Sequence, residues 1–256
     1  MRSKPSKFIM AISTIIIPIL CSCASTQQKQ NESKVVIITY YNRGTAHLNK
    51  GQYDQAISDY TKALEMNPKF TEAYYNRGFA YWLKNEHDQA IADYTKAIEI
   101  NPNIAGAYSN RAACFCEKGQ YDQAISDCNK AIEINPRFAF AYNERGIAYH
   151  RKGQHDQAIS DYTKAVEIDP KYATAYYNRG ISFVDKGEYD RGISDYNKSI
   201  EINPKYAPAY YRRGYTHYLK KEYDKSWDDI KKTQDLGLKV APEFLDDLRK
   251  ASGREK

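Results

Sequence analysis

The chain has 256 residues, 42% of them hydrophobic and 27% charged: enough apolar material for one large or two small domains, and too much for a disordered chain. Thirteen glycines and nine prolines exclude a collagen-like or low-complexity fold. A formal net charge of +6 invites an acidic partner, and 24 tyrosines against eight phenylalanines invite a stacking surface, so both need to be located along the chain.

Residues 1–7 carry Arg2, Lys4 and Lys7 without an acid, and residues 8–20 run without a charge. That run is short of the ~20 residues a spanning helix needs, and its Pro18 breaks a long helix. A basic start before a short apolar stretch reads as an export signal. Leu20-Cys21-Ser22-Cys23 resembles the bacterial lipobox, with an aliphatic residue three before the cysteine and a small one directly before it. The resemblance implies a signal peptide over 1–22, cleavage after Ser22, and acyl chains (palmitate among them) on Cys23. An ordinary cleaved signal and an uncleaved anchor stay open as alternatives. Ala24, where an aspartate would retain an enteric-type lipoprotein in the inner membrane, implies a bacterial envelope protein on the outer membrane, facing the periplasm. Residues 23–34 are then a polar tether with a span of roughly 18 Å if it is a flexible coil. Removing the three bases of the signal from the 38 leaves 35 against 32 acids, a net charge of +3.

Beyond the tether one unit recurs. Pro68, Pro102, Pro136, Pro170 and Pro204 are spaced by 34 residues, as are Gly44, Gly78, Ala112, Gly146, Gly180 and Gly214. Within the third copy, Tyr108, Arg111, Ala112 and Phe115 share one helix face, Gly119 offers a left-handed stop, and Asp122 opens a second helix that Asn135-Pro136 ends. Ala112 and Ala124 mark a close helix crossing. Asn85 and Lys221 replace the turn glycine in the second and sixth copies. Asparagine tolerates that backbone, whereas lysine predicts a turn that is strained or differently shaped. A 34-residue helix–turn–helix period with small residues at fixed places and a terminal proline resembles the tetratricopeptide repeat (TPR) family. The resemblance gives six repeats within 35–240 (37–70, 71–104, 105–138, 139–172, 173–206 and 207–240) and a capping helix and tail over 241–256. In the cap, Phe244, Leu245 and Leu248 would cover the last exposed face. The expected fold is all-α: a right-handed TPR superhelix of six helix pairs and a cap.

Six copies allow an internal comparison. Arg43, Arg77, Arg111, Arg145, Arg179 and Arg213 are the same in all six, as are Asp59, Asp93, Asp127, Asp161, Asp195 and Asp229, sixteen residues later in each. An arginine on a packing face needs a partner, so these rows predict bidentate pairs within or between repeats. By the resemblance, the opposite face of the first helices lines a concave groove, and there the copies differ. The candidate peptide-binding residues on that face are Tyr41, Asn42, Tyr75, Asn76, Phe79 and Trp82, followed by Asn110, Tyr177, Asn178, Tyr211, Arg212 and Tyr215. Asparagine amides spaced one per repeat offer hydrogen bonds to an extended backbone while aromatic neighbours offer apolar area, although asparagine is also part of the generic repeat. Six tyrosines (those five and Tyr218) fall in the groove, and the other eighteen are assigned to packing or turns.

Sites for chemistry are not found. The five histidines show no metal-ligand spacing, and His87 and His155 stand where four other copies have tyrosine, so no metal or other cofactor is expected. Cys114, Cys116 and Cys128 read as buried thiols, a disulfide or a metal pair. There is no P-loop, nucleophile elbow or H-E-x-x-H, so an enzyme is not expected, and the export signal argues against nucleic acid. Only Arg212 matches the lysine and arginine positions of the family's chaperone-tail clamp. The expected function is a membrane-tethered scaffold that binds an unidentified protein or peptide in its groove. A secretin-pilotin-like assembly factor or an adaptor for cell-wall enzymes is the alternative, and oligomeric state is open.

Overall fold

The computed structural model describes residue 28 and residues 31–254. The export signal, Cys23 and most of the expected tether lie outside the described residues. A first helix, α1, covers 31–49. The expected tether therefore stops short of residue 34, because 31–34 already belong to that helix. Twelve helices follow among the described residues: α2 (Tyr53–Met66), α3 (Thr71–Leu83), α4 (His87–Ile100), α5 (Ala105–Glu117), α6 (Tyr121–Ile134), α7 (Ala139–Arg151), α8 (His155–Ile168), α9 (Ala173–Asp185), α10 (Tyr189–Ile202), α11 (Ala207–Leu219), α12 (Tyr223–Asp235) and α13 (Pro242–Ser252). They form two compact units, one up to Ile100 and one from Asn101 onward. In each unit consecutive helices pack as antiparallel pairs, the layout of an all-α TPR solenoid. No helix among the described residues is long and apolar enough to cross a membrane.

Each pair closes on one small–large contact. A Cβ built on Gly146 or Gly180 would lie 2.7 Å from a ring carbon of Tyr162 or Tyr196, and one on Gly44 would lie 2.9 Å from Tyr60. The ring occupies the volume that a side chain at the glycine would need, and Tyr60, Tyr162 and Tyr196 are essentially inaccessible to solvent. In the third repeat both members change together. Ala112 faces the smaller Cys128, and the two are fully buried in one cluster with Ala124 and Ala148. In the sixth repeat Gly214 faces Ile230.

The turns follow from local chemistry. Gly119 and Gly153 adopt φ of +73° and +75°. The Gly153 and Gln154 amides donate to the His150 and Tyr149 carbonyls, so two otherwise unsatisfied acceptors at the end of α7 find partners. Lys221 takes φ +62°, and the Lys221 and Glu222 amides donate to the Tyr218 and His217 carbonyls in the same way. Its turn keeps the common shape and carries the strain of a side chain in left-handed backbone. At the other end of each repeat, the side-chain oxygens of Asn67, Asn135, Asp169 and Asn203 accept the backbone amide two residues on, at 2.9–3.2 Å. That bond spans the proline and ends the helix.

The predicted arginine–aspartate rows form in all six copies. Nε and Nη2 of each arginine donate to the two carboxylate oxygens of its aspartate at 2.6–2.8 Å. The remaining Nη1 of Arg77, Arg145, Arg179 and Arg213 reaches back to the preceding repeat, to Thr61, Asn129, Thr163 and Asn197 in turn. A tyrosine three residues earlier flanks each guanidinium, 5.2–5.7 Å from its ring centre. One side chain thus joins the two helices of its own repeat and, in these four copies, the repeat before. The six arginines of this row are committed to aspartates rather than to a phosphate-binding stripe.

The C-terminal helix extends the stack. Lys152, Lys186 and Lys220 each pair with an aspartate thirty residues earlier, Asp122, Asp156 and Asp190. Arg254 pairs with Asp224 at the same separation. Leu248 is fully buried with Ile230 and Val240, with Phe244 and Leu245 packed around them, as a cap requires.

Candidate functional site

The face opposite the arginine rows divides into a packed part and an open part. Tyr41 lies 4.8 Å from the Phe70 ring and 5.8 Å from Tyr60, and its hydroxyl accepts a hydrogen bond from the Asn76 amide. Tyr75 lies 5.8 Å from Tyr94, and Tyr177 packs on Tyr206 at 5.2 Å and Tyr196 at 6.1 Å. Tyr211 and Tyr215 were expected in an open groove. Instead they pack with Tyr218 against Phe244 of α13, at 6.1, 5.5 and 5.4 Å. The cap takes that end of the face, so these three tyrosines are scaffold. Tyr41, Tyr75 and Tyr177 join helices and repeats through one ring face and remain half-buried.

The asparagines also carry a scaffold load. Asn76 and Asn178 each donate across a repeat boundary, to the Tyr41 hydroxyl and to the Asn143 side-chain oxygen, both at 3.0 Å. Arg212 holds the equivalent place one repeat later, where the Tyr177 hydroxyl favours its charged form against the desolvation of burial. An amide that holds the next repeat has less left for a peptide backbone, so the asparagine row is first a register device. Asn42 is exposed, and Asn110 is half-buried on α5. Ser109 and Asn143, aligned with the tyrosine row, are buried. Glu144, aligned with the asparagines, is buried as well and accepts the Asn143 amide at 3.0 Å. Burial pushes its carboxyl up to about 7; the Asn143 hydrogen bond opposes the rise and the Glu117 charge adds to it.

Two features remain open. On α3, Phe79 and Trp82 stack at 5.7 Å with their planes 12° apart, both half-buried. In the second unit, a cavity of about 290 Å³ is lined by Glu117 of α5; Ile147, His150 and Arg151 of α7; Tyr162 of α8; Tyr177, Asn178 and Ile181 of α9; and Arg212 of α11. Its walls come from four successive repeats, and its volume suits one or two side chains rather than a cofactor. The predicted residues that it gathers are Tyr177, Asn178 and Arg212. Glu117 and Arg151 were missed, and variation at their position between copies (Leu83, Glu117, Arg151, Asp185, Leu219) is the signal that could have found them.

Cys114, Cys116 and Cys128 are free thiols, Cys114 and Cys128 buried and Cys116 partly so. Burial pushes the Cys114 and Cys116 thiols up to about 12, which removes them as nucleophiles near neutral pH. The histidines depart from expectation in one place. His150, His155 and Asp185 offer ligand atoms that all lie within 4.8 Å of one another.

Comparison with known proteins agrees with this geometry. A tetratricopeptide repeat profile matches residues 37–70, 71–104 and 105–138, a second covers 128–160, and a TPR repeat profile covers 146–184 and 180–221. No curated protein matches the sequence significantly. Among solved structures, MamA is 29% identical with a TM-score of 0.56, over 64% of this chain and 96% of that one. YrrB, described as a TPR protein with an unusual peptide-binding site, is 25% identical with a TM-score of 0.52, over 70% of this chain and 92% of that one. PilF of Pseudomonas aeruginosa, at 16% identity and a TM-score of 0.69, covers 80% of this chain and 94% of its own, and shows the fold. With the 34-residue period, the helix pairs and matches running from residue 37 to 221, the chain belongs to the tetratricopeptide repeat family.

Proposed function

We propose that the protein is a non-enzymatic interaction scaffold that captures a peptide segment of another protein, using the cavity between Ile147, His150, Tyr177, Asn178 and Arg212. The observation that carries this reading is a cavity built by four repeats from positions that differ between copies, while the packing positions around it repeat. Apolar Ile147 and Ile181 offer area to a side chain, and Arg151 and Arg212 beside Glu117 offer charge selection. The similarity to YrrB supports a peptide as the kind of partner. Phe79 and Trp82 provide a second, aromatic contact in the first unit.

The reading includes a lipid anchor at Cys23, supported by the lipobox resemblance, which would hold the scaffold at an envelope membrane; two or more acyl chains anchor stably. A photo-crosslinking residue at Ile181 in the full chain, in native membranes, tests capture. Specific adducts that disappear with Arg212→Ala are expected, and adducts unchanged by Arg212→Ala and by Ile147→Asp would refute the site. Cys23→Ser should release the protein from the membrane fraction, and unchanged retention would refute the anchor.

A further inference from the structure

His150 closes the last turn of α7, and His155 opens α8 after the Gly153 turn. The residues aligned with His150 in the other repeats are Leu48, Trp82, Cys116, Val184 and Tyr218, so the fourth repeat alone carries imidazole at both places. The two rings meet edge to face at 5.2 Å. Asp185, the last residue of α9, brings a carboxylate oxygen to 3.7 Å from His150 Nε2.

We propose that His150, His155 and Asp185 bind a divalent transition-metal ion of the zinc class, at a site that shares His150 with the cavity wall and does not require the cavity to capture a peptide. Around tetrahedral zinc, bonds of about 2.0–2.1 Å place ligand atoms roughly 3.3 Å apart. The His150–Asp185 separation is close to that, and small side-chain rotations bring in His155. The second shell supports the assignment. Ser182 Oγ donates to the Asn178 carbonyl at 3.4 Å and lies 3.1 Å from His150 Nδ1. In the tautomer whose Nδ1–H donates to Ser182 Oγ, the Nε2 lone pair is left for an ion shared with Asp185, as in metal sites where the far ring nitrogen is held by a fixed acceptor. His155 Nδ1 is buried with no hydrogen-bond partner among the described residues. Two imidazoles and one carboxylate favour Zn²⁺, Co²⁺ or Ni²⁺ over Mg²⁺ or Ca²⁺. Arg151 and Arg212 on the same side oppose a further positive charge, which makes this a site of moderate affinity.

The three ligands would tie α7 and α8 of one repeat to α9 of the next, at the edge of the cavity that His150 lines. The test is titration of the full chain, free of any histidine tag, with Zn²⁺ alone, followed by calorimetry. Binding of Co²⁺, read from its visible absorption, reports the ligand set. One ion per chain is expected, with affinity reduced at least about tenfold in His155→Tyr and in Asp185→Asn. Tyrosine is the residue that four repeats carry at that place, so His155→Tyr keeps the fold, which circular dichroism verifies. His87→Tyr, which alters the same position where Trp82 replaces the second imidazole, should bind as the parent does. Absence of saturable Zn²⁺ binding, equal binding by parent, His155→Tyr and Asp185→Asn, or equal affinity for Mg²⁺ would overturn the site.

Discussion

Replacing Glu144 by glutamine should stabilise the protein, and by an amount that depends on pH. Glu144 is 8% exposed, accepts one hydrogen bond from Asn143, and stands in the second unit where four of the other repeats carry asparagine and the sixth carries Arg212. Burial raises its pKa from the ordinary 4.5 to about 7. At 1.36 kcal/mol per pH unit, the ionised form in the folded protein bears a penalty of about 3 kcal/mol, an upper figure because the structure can relax around it. The native state holds its proton more tightly than the unfolded chain. Stability is therefore lost as pH rises from about 4.5 to about 7, and the loss is complete above that. Glutamine matches the neutral acid in shape, keeps the acceptor for Asn143 and cannot ionise. Urea unfolding of parent and Glu144→Gln, followed by circular dichroism from pH 4 to 8.5, should give equal stabilities at pH 4 and a gap opening toward about 3 kcal/mol at pH 8. A gap that does not change with pH, or a variant weaker than the parent at pH 8, would refute the argument that desolvation governs this carboxyl.

Three further comparisons probe the scaffold. Gly146→Ala places a methyl 2.7 Å from the Tyr162 ring and should cost about 1–3 kcal/mol. Combined with Tyr162→Cys, which copies the Ala112–Cys128 pair of the third repeat, it should cost less than the two single changes summed, as a double-mutant cycle in urea will show. Lys221→Gly should raise stability by about 1 kcal/mol, since glycine adopts the +62° backbone without a Cβ clash; a lower melting temperature would contradict the strain argument. Asp161→Ala leaves the Arg145 guanidinium, whose side chain is 20% exposed, without its bidentate partner and should cost about 3 kcal/mol. Asp59→Ala should cost far less, because its Arg43 is half exposed and solvated, and equal losses at both sites would contradict a burial effect.

The repeat length, the helix pairs and the arginine–aspartate rows were legible in the sequence by itself, because each is set by local rules or by identity between copies. A 34-residue spacing of Pro68 to Pro204 dictates where helices end, and an arginine that recurs six times with an aspartate sixteen residues on has one economical partner. The tertiary structure alone decided which of the varying residues are open. Tyr211 and Tyr215 look like groove residues until Phe244, about thirty positions away in the chain, lies against them. Glu144 looks like a variant of a partly exposed asparagine until neighbouring helices remove its water. His150 and His155 show no ligand spacing until the next repeat brings Asp185 alongside. Burial and proximity between repeats depend on how helices stack, and a pattern of period 34 says which positions are alike, not what each one meets. The excess of tyrosine follows the same division: its spacing marks the repeat, and packing buries Tyr60, Tyr94, Tyr162 and Tyr196, half-buries the others, and leaves Tyr177 at the edge of the one cavity proposed to bind.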